Sequence, residues 1–248
     1  MKIFSFLKRL LYPDNLKCIV CNEEIFTSDA FSICPKCLDK LSFLNDKICK
    51  ICGVKVFGEN NLCERCVNNE YKEIKLARAV FEYDENLKSL IHKLKYDNQK
   101  FLAKPLSNIL YNYFTHHNEI NDVDIIIPIP LYEKRLKQRG YNQTELLLQS
   151  FKETNLVRTD IVKRVKDTPT QTKLSKEERM ENLKDAFIIT NAQDIKNKKI
   201  LIVDDIFTTG ATSLSLAKLL IKNKAKSVKC LTLCHTTKKL DIENTSEN

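Results

Sequence analysis

Two short apolar runs stand out along the chain, DIIIPIP at Asp124–Pro130 and KILIV at Lys199–Val203. Neither alternates with polar residues. Both predict strands buried on two faces, as in a parallel sheet. Ala77–Tyr83, Ala186–Thr190 and Ser227–Cys234 are further segments of strand length and apolar character. Between these, apolar residues recur at helical spacing over Glu85–Lys95, Phe101–His116, Asn142–Lys152 and Ala211–Asn223. Ser175-Lys176-Glu177-Glu178 is a capping-box signature that opens one more short helix. Strands alternating with helices predict an α/β fold with a mainly parallel sheet and flanking helices. At the start, Ile3, Phe4, Phe6, Leu7, Leu10 and Leu11 predict a short amphipathic helix that packs on the protein body. Lys8 and Arg9 interrupt that stretch and no small-residue cleavage site follows, so it does not read as a secretory signal.

The pattern changes character near residue 70. We expect an amino-terminal module over 1–70, an α/β domain over 71–237 and a polar tail over 238–248. With 43% hydrophobic residues among 248, the chain has material for a core and is not a disordered polyampholyte. No apolar run approaches the ~20 residues of a membrane-spanning helix. A reduced cytoplasmic setting is therefore expected. The net charge is +9, and the excess lies beyond residue 70, since the first 70 residues hold 10 basic and 9 acidic side chains. Any anion-binding surface belongs mainly to the second part. Glycine is scarce, with only Gly53, Gly58, Gly140 and Gly210. Each falls in or beside a feature selected on other grounds.

Eight of the ten cysteines form four CxxC pairs, namely Cys18/Cys21, Cys34/Cys37, Cys49/Cys52 and Cys63/Cys66. A CxxC turn aims two thiolates at one tetrahedral ion, so two pairs complete a four-cysteine zinc site. Two structural zinc ions are expected, with an iron–sulfur cluster as the rival. Metal must supply much of the folding energy of so short a window. Near-even spacing leaves sequential pairing and a cross-brace both open, although local closure costs less loop entropy. All-thiolate sites leave no open position for zinc catalysis. Cys230 and Cys234 sit on a strand segment and read as small buried hydrophobes.

The candidate chemical centre is KKILIVDDIFTTGATSLSLAKLL. A buried strand leads into Asp204 and Asp205, and Thr208, Thr209, Gly210, Ala211 and Thr212 then turn into a helix. Ligands of open α/β sheets bind at the carboxyl ends of strands, and a helix N-terminus offers free amides and a positive dipole to a phosphate. Gly210 lets the backbone approach closely. The carboxylates suit sugar hydroxyls, so the local chemistry reads as a sugar carrying a 5′-phosphate. Neither a Walker-type GxxxxGK[ST] motif nor a strand-linked GxGxxG is present. Arg135 and Arg139, with Lys134, crowd the end of the DIIIPIP segment, where a pyrophosphate with magnesium needs cations and N–H donors. Gly140 permits a turn from which Asn142 and Gln143 reach back to the ligand as neutral donors. The bland alternative for this segment is a solvated basic helix. The polar stretch from Arg164 to Arg179 reads as a mobile loop over the ligand or a surface connection. Lys222, Lys224, Lys226 and Lys229 make a second basic cluster.

ILIVDDIFTTGAT resembles the phosphoribosyl-pyrophosphate (PRPP) signature of type I phosphoribosyltransferases. IPIPLYEKRLKQRGYNQTELL and TQTKLSKEERMENLKDAF resemble the ComF family of competence proteins, whose layout is a double zinc ribbon followed by such a domain. The resemblance implies that Asp204 and Asp205 hold the ribose hydroxyls and that Thr208–Thr212 hold the 5′-phosphate. It implies a pyrophosphate loop after the DIIIPIP strand, with Leu131, Arg135 and Arg139 near the ligand, and Mg2+ accompanying PRPP. It further implies a role in DNA uptake, with single-stranded DNA and other competence proteins as partners. Tryptophan is absent, so any base stacking rests on Tyr or Phe. A working phosphoribosyltransferase with an unknown acceptor is the alternative.

Overall fold

The computed structural model describes residues 17–25, 31–44, 47–57, 59–167 and 182–236. The expected amino-terminal helix, the capping box at Ser175 and the polar tail lie outside these residues. Four parallel strands form the main sheet, in the order β1 (Leu76–Glu82), β6 (Ser227–His235), β5 (Lys199–Phe207) and β2 (Ile125–Pro128). The unalternated strands are buried on both faces. Leu201 and Val203 of β5 join one core cluster, and Ile200 and Ile202 join the other.

The first face is covered by α3 (Glu85–Tyr96) and α4 (Ala103–His116). Asp84 caps α3 by accepting from the Leu87 amide at 2.8 Å. Leu87, Leu90, Ile91 and Leu94 form the buried stripe that sets α3 on the sheet. The second face is covered by α8 (Ala211–Lys222), whose Leu214, Leu216, Ala217 and Leu220 are buried. Two four-residue helical turns, α1 (Pro35–Leu38) and α2 (Glu64–Val67), belong to the cysteine-rich region. Its first half packs through Ile19, Ile25, Ile33 and Leu41 into the α3/α4 core, and its second through Val56, Tyr71 and Ile74 into the α8 core. The two halves thus straddle the edge strand β1. They also bond to its backbone. Ala77 N donates to Ile51 O (2.7 Å), Leu44 N to Val80 O (3.0 Å) and Glu82 N to Ser42 O (2.8 Å). Buried Arg78 reinforces this seam, with Nε 2.5 Å from Glu119 of the short helix α5 (Asn118–Asn121) and Nη2 3.3 Å from the Lys50 carbonyl.

Three expectations change. The segment Asn142–Lys152 is not one helix but α7 (Gln143–Leu146) followed by a 3₁₀ stretch, Gln149–Thr154. Leu147 and Leu148 are both fully buried. They fall at the junction, Leu147 as the C-cap of α7 and Leu148 as the N-cap of the 3₁₀ stretch. The segment around Phe187 is β4 (Phe187–Ile189), outside the main sheet. It pairs antiparallel with β3 (Val162–Arg164), which begins in sequence just ahead of the stretch read as a polar loop. Finally, β5 does not stop at Val203 but pairs with β6 through Phe207↔His235.

Candidate functional site

The extension of β5 puts both acids inside the strand rather than after it. Adjacent strand residues point to opposite faces. Asp205, 4% exposed, turns toward α3 and meets the ammonium of Lys95 there in an ion pair. Asp204 is half-buried, and its Oδ1 accepts the Asp205 amide at 2.9 Å. Burial and the neighbouring Asp205 carboxylate push Asp204 well above the usual carboxylate range. Burial raises Asp205 too, but Lys95 outweighs it and holds Asp205 below that range. Lys95, which burial alone would discharge, is kept charged by Asp205. One carboxyl is thus biased to keep its proton and the other to stay ionised, a pairing suited to gripping neutral hydroxyls.

Beyond the acids, Thr208 and Thr209 are half-buried and Gly210 is the N-cap of α8 at φ +70°. The Ala211 amide lies 3.4 Å from Thr209 Oγ1, and Thr212 is half-buried in the first turn. The glycine is required for two reasons. Its backbone is left-handed, and a Cβ there would lie 2.5 Å from Phe207 and 2.8 Å from Tyr71. Below the loop, the Phe207 ring rests 4.9 Å from His235, whose imidazole burial pulls down to about 4 and leaves neutral. The loop carbonyl of Thr209 accepts from Arg65 Nη2 at 2.7 Å and from Tyr71 Oη at 2.9 Å.

The segment after β2 lies across the same end of the sheet. Ile129 N donates to Val203 O at 3.0 Å, and the Ile129 carbonyl receives Asn142 Nδ2 (3.1 Å) and Thr144 Oγ1 (2.7 Å). Asn142 also caps α7 and is buried, so its side chain is occupied in bracing this loop. Gln143, also buried, accepts from Arg139 through Oε1. Leu131 and Arg135 are half-buried, and Arg135 lies 3.5 Å from Asp167. The basic segment is a helix, α6 (Glu133–Arg139), ended by Gly140 at φ +76° with its amide on Leu136 O.

Between α3 and α6 opens a cleft of about 580 Å3 lined by Lys95, Lys100, Arg135, Lys137 and Arg139, with Tyr96 on its wall. None of the described residues lining it is acidic. Tyr96 is 58% exposed with the Arg139 guanidinium 5.2 Å from its ring centroid, and Lys100 stands 4.7 Å from that of Tyr141. Lys95 belongs to both cleft and acid pair, and so joins them. Sequence reasoning missed Lys95, Arg65 and Tyr71. Only Lys95 carried a signal. Four residues after Ile91, it is a charge at the border of an apolar stripe. The second lysine cluster is not uniform either. Lys222, Lys224 and Lys226 are exposed, but Lys229 is buried with Nζ on the Glu119 and Asp122 carbonyls at 2.7 and 3.1 Å.

The eight CxxC cysteines close as two sequential groups, Cys18/Cys21/Cys34/Cys37 and Cys49/Cys52/Cys63/Cys66, each with its sulfurs within 4.8 Å of one another. This settles the pairing against the cross-brace. Four thiolates about 2.3 Å from a tetrahedral zinc stand about 3.8 Å apart. Cys21–Cys34 at 3.8 Å and Cys52–Cys63 at 3.5 Å fit that geometry. Amides supply outer support, from Cys34 N to Cys18 Sγ at 3.3 Å and from Cys63 N to Cys49 Sγ at 3.4 Å. Cys230 and Cys234 are fully buried but join different core clusters, so they do not act as a pair.

A double zinc ribbon family model matches residues 7–67, and a phosphoribosyl transferase domain model matches residues 137–245. With the parallel sheet and the two four-sulfur sites, these matches define the class as a phosphoribosyltransferase-type domain carrying a double zinc ribbon. The chain is 34% identical to competence protein F of Haemophilus influenzae, over 84% of this chain and 92% of that one. It is 31% identical to DNA utilization protein YhgH of Escherichia coli K12 (83% and 91%) and 28% identical to competence protein ComFC of Streptococcus pneumoniae (88% and 99%). The chain belongs to the ComF family of competence proteins. Among the described residues, no helix is long and apolar enough to cross a membrane.

Proposed function

We propose that this protein is a PRPP-binding competence factor that handles incoming single-stranded DNA in the cytoplasm during DNA uptake. The observation that carries the PRPP reading is the end of β5. There, Asp204 and Asp205 sit within a few residues of a glycine-pinned turn that opens the N-terminus of α8. In this reading the acids take the ribose 2′- and 3′-hydroxyls. Thr208, Thr209 and Thr212, with the amides of Gly210 and Ala211, take the 5′-phosphate. Arg135 and Arg139, beside Leu131, face the pyrophosphate. Asn142 and Gln143 serve by holding the Ile129 turn and Arg139 in place. Mg2+ arrives with PRPP, and when bound it neutralises pyrophosphate charge.

The DNA reading is supported by the cleft between α3 and α6. Its cations can pair with phosphates, and its exposed Tyr96 offers a face to an unpaired base. The names of the relatives support the competence role, and other competence proteins are the partners it implies. The test is calorimetric titration of zinc-loaded protein with PRPP and Mg2+. Wild type binds, and Asp204→Asn/Asp205→Asn, checked for folding because it leaves the Lys95 ammonium without its partner, does not. Unchanged affinity in the folded double variant refutes the assignment. The acid pair and phosphate turn also form the donor half of a transferase. Pyrophosphate release with a panel of nucleobase and amine acceptors separates catalysis from binding.

A further inference from the structure

The phosphate turn is not held by its own domain alone. The Thr209 carbonyl accepts two hydrogen bonds, and both donors come from residues 144 and 138 positions earlier in the chain, Arg65 and Tyr71. Arg65 lies in α2, between the metal ligands Cys63 and Cys66. Its guanidinium is itself fixed on three sides. Nε sits 2.8 Å from Glu70 Oε2, the plane stacks 4.6 Å from the Tyr71 ring centroid, and Nη2 reaches Thr209. The Tyr71 ring is buried and packs 5.8 Å from Phe207. Tyr71 and Phe207 then leave no room for a Cβ at Gly210.

The peptide unit is planar and trans, so the Thr209 C=O and the Gly210 N–H point in opposite directions. Fastening that carbonyl to the ribbon turns the Gly210 amide away from it. That amide is one of the donors assigned above to the 5′-phosphate. Arg65 keeps its place because α2 is closed on both sides by sulfurs of one four-thiolate group.

We propose that the second zinc ribbon is a positioning element of the phosphate turn, with Arg65 and Tyr71 as the positioning residues, so that its metal occupancy sets affinity for a ribose 5′-phosphate. This rests on the PRPP reading of the site. The sulfurs supply no chemistry to the ligand. They hold the donor that orients the loop.

The test uses full-length zinc-loaded protein and the variants Arg65→Ala, Arg65→Lys and Tyr71→Phe, with metal content measured in each. The Phe variant removes one hydroxyl and keeps the ring. Hydrogen exchange is followed over residues 207–212 without ligand, and affinity is measured for ribose 5-phosphate and for inorganic pyrophosphate. Losing a hydrogen bond of this kind predicts a roughly tenfold weaker ribose 5-phosphate complex. Faster exchange of the loop is expected in Arg65→Ala and Tyr71→Phe, with zinc content and pyrophosphate affinity unchanged and partial recovery in Arg65→Lys. Unchanged loop exchange overturns the inference, and so does an equal loss of pyrophosphate affinity. If wild type binds neither PRPP nor ribose 5-phosphate, the PRPP reading fails. Loop exchange in the variants still decides the link between ribbon and turn.

Discussion

Replacing Lys95 by Met isolates the charge balance of the acid pair. The side chain of Asp205 is 6% exposed and that of Lys95 20%, so the ion pair is largely shielded from water. Removing one member of such a pair leaves an uncompensated buried charge and costs about 3–5 kcal/mol. We expect the lower end, because Lys95 keeps some solvent contact. Against a total domain stability of about 5–15 kcal/mol, even that is severe. The pH dependence separates this cause from simple loss of packing. In wild type, Asp205 is held below its ordinary value. Its contribution is therefore present above an unfolded-state pKa of about 3.9 and is lost as pH falls through the folded value. Without Lys95, the main opposition to burial is gone and only hydrogen bonding, chiefly from Asp204, remains against it, so the folded pKa is expected above the unfolded one. The folded variant then binds the proton more tightly than the unfolded chain. Its stability falls as pH rises from the unfolded value to the folded one, and it recovers on acidification. Urea unfolding at pH 7.5 and 5.5 tests this. Measured against wild type at the same pH, Lys95→Met should lose most at pH 7.5 and regain part of the deficit at pH 5.5, since Asp204 titrates in both proteins. Adding Asp205→Asn should restore most of the loss. A deficit below about 1 kcal/mol at pH 7.5, or one independent of pH, refutes the argument.

Purified protein should carry two zinc ions per chain, as two four-sulfur groups require, and metal analysis finding one ion or a coloured cluster contradicts this. Gly140→Ala and Gly210→Ala share the left-handed strain of about 1–2 kcal/mol, but only Gly210→Ala collides with Phe207 and Tyr71, adding about 1–3 kcal/mol. Equal losses in thermal or urea unfolding would show that the loop yields without cost. Affinity for single-stranded DNA should fall with salt at a log–log slope of about −0.7 per phosphate contact. Lys100→Gln with Lys137→Gln should make that slope shallower, whereas Lys222→Gln with Lys224→Gln should not if the α3/α6 cleft is the surface used.

Much of the fold was legible because its signals are local. Unalternated runs marked β2 and β5, and four CxxC turns marked the metal groups. The acid pair and Gly210 were legible as a motif. The motif did not say that β5 continues through it, placing both acids inside the strand with Asp205 turned onto Lys95. That follows from pairing with β6, which only the assembled sheet provides. Leu146, Leu147 and Phe151 gave a helical period, but the segment divides between Leu147 and Leu148 into a short helix and a 3₁₀ stretch. Arg65 and Tyr71 were invisible for a different reason. Nothing in CERC or in the residues that follow it announces a partner in a turn more than 130 positions later. Lys95 marked its position as a charge at the border of an apolar stripe, but its partner lay on another element.

The ribbons also bear on how the protein avoids itself. β1 is an outer strand, and its sequence, LARAVFE, has only one flank satisfied by β6. On the other flank, Ser42, Leu44 and Ile51 engage its amides and carbonyls. A strand with an open flank is a template for pairing with another chain. Here the cover consists of loops whose fold depends on eight sulfurs and two metal ions rather than on a helix with its own core. Stripping the metal therefore does more than unravel a small module. It bares the backbone of a hydrophobic strand in a domain that otherwise stays folded, and two such domains can complete each other's sheets. The metal-free protein should accumulate as β-joined oligomers rather than as a loosened monomer, which makes zinc supply a condition of solubility for newly made chains.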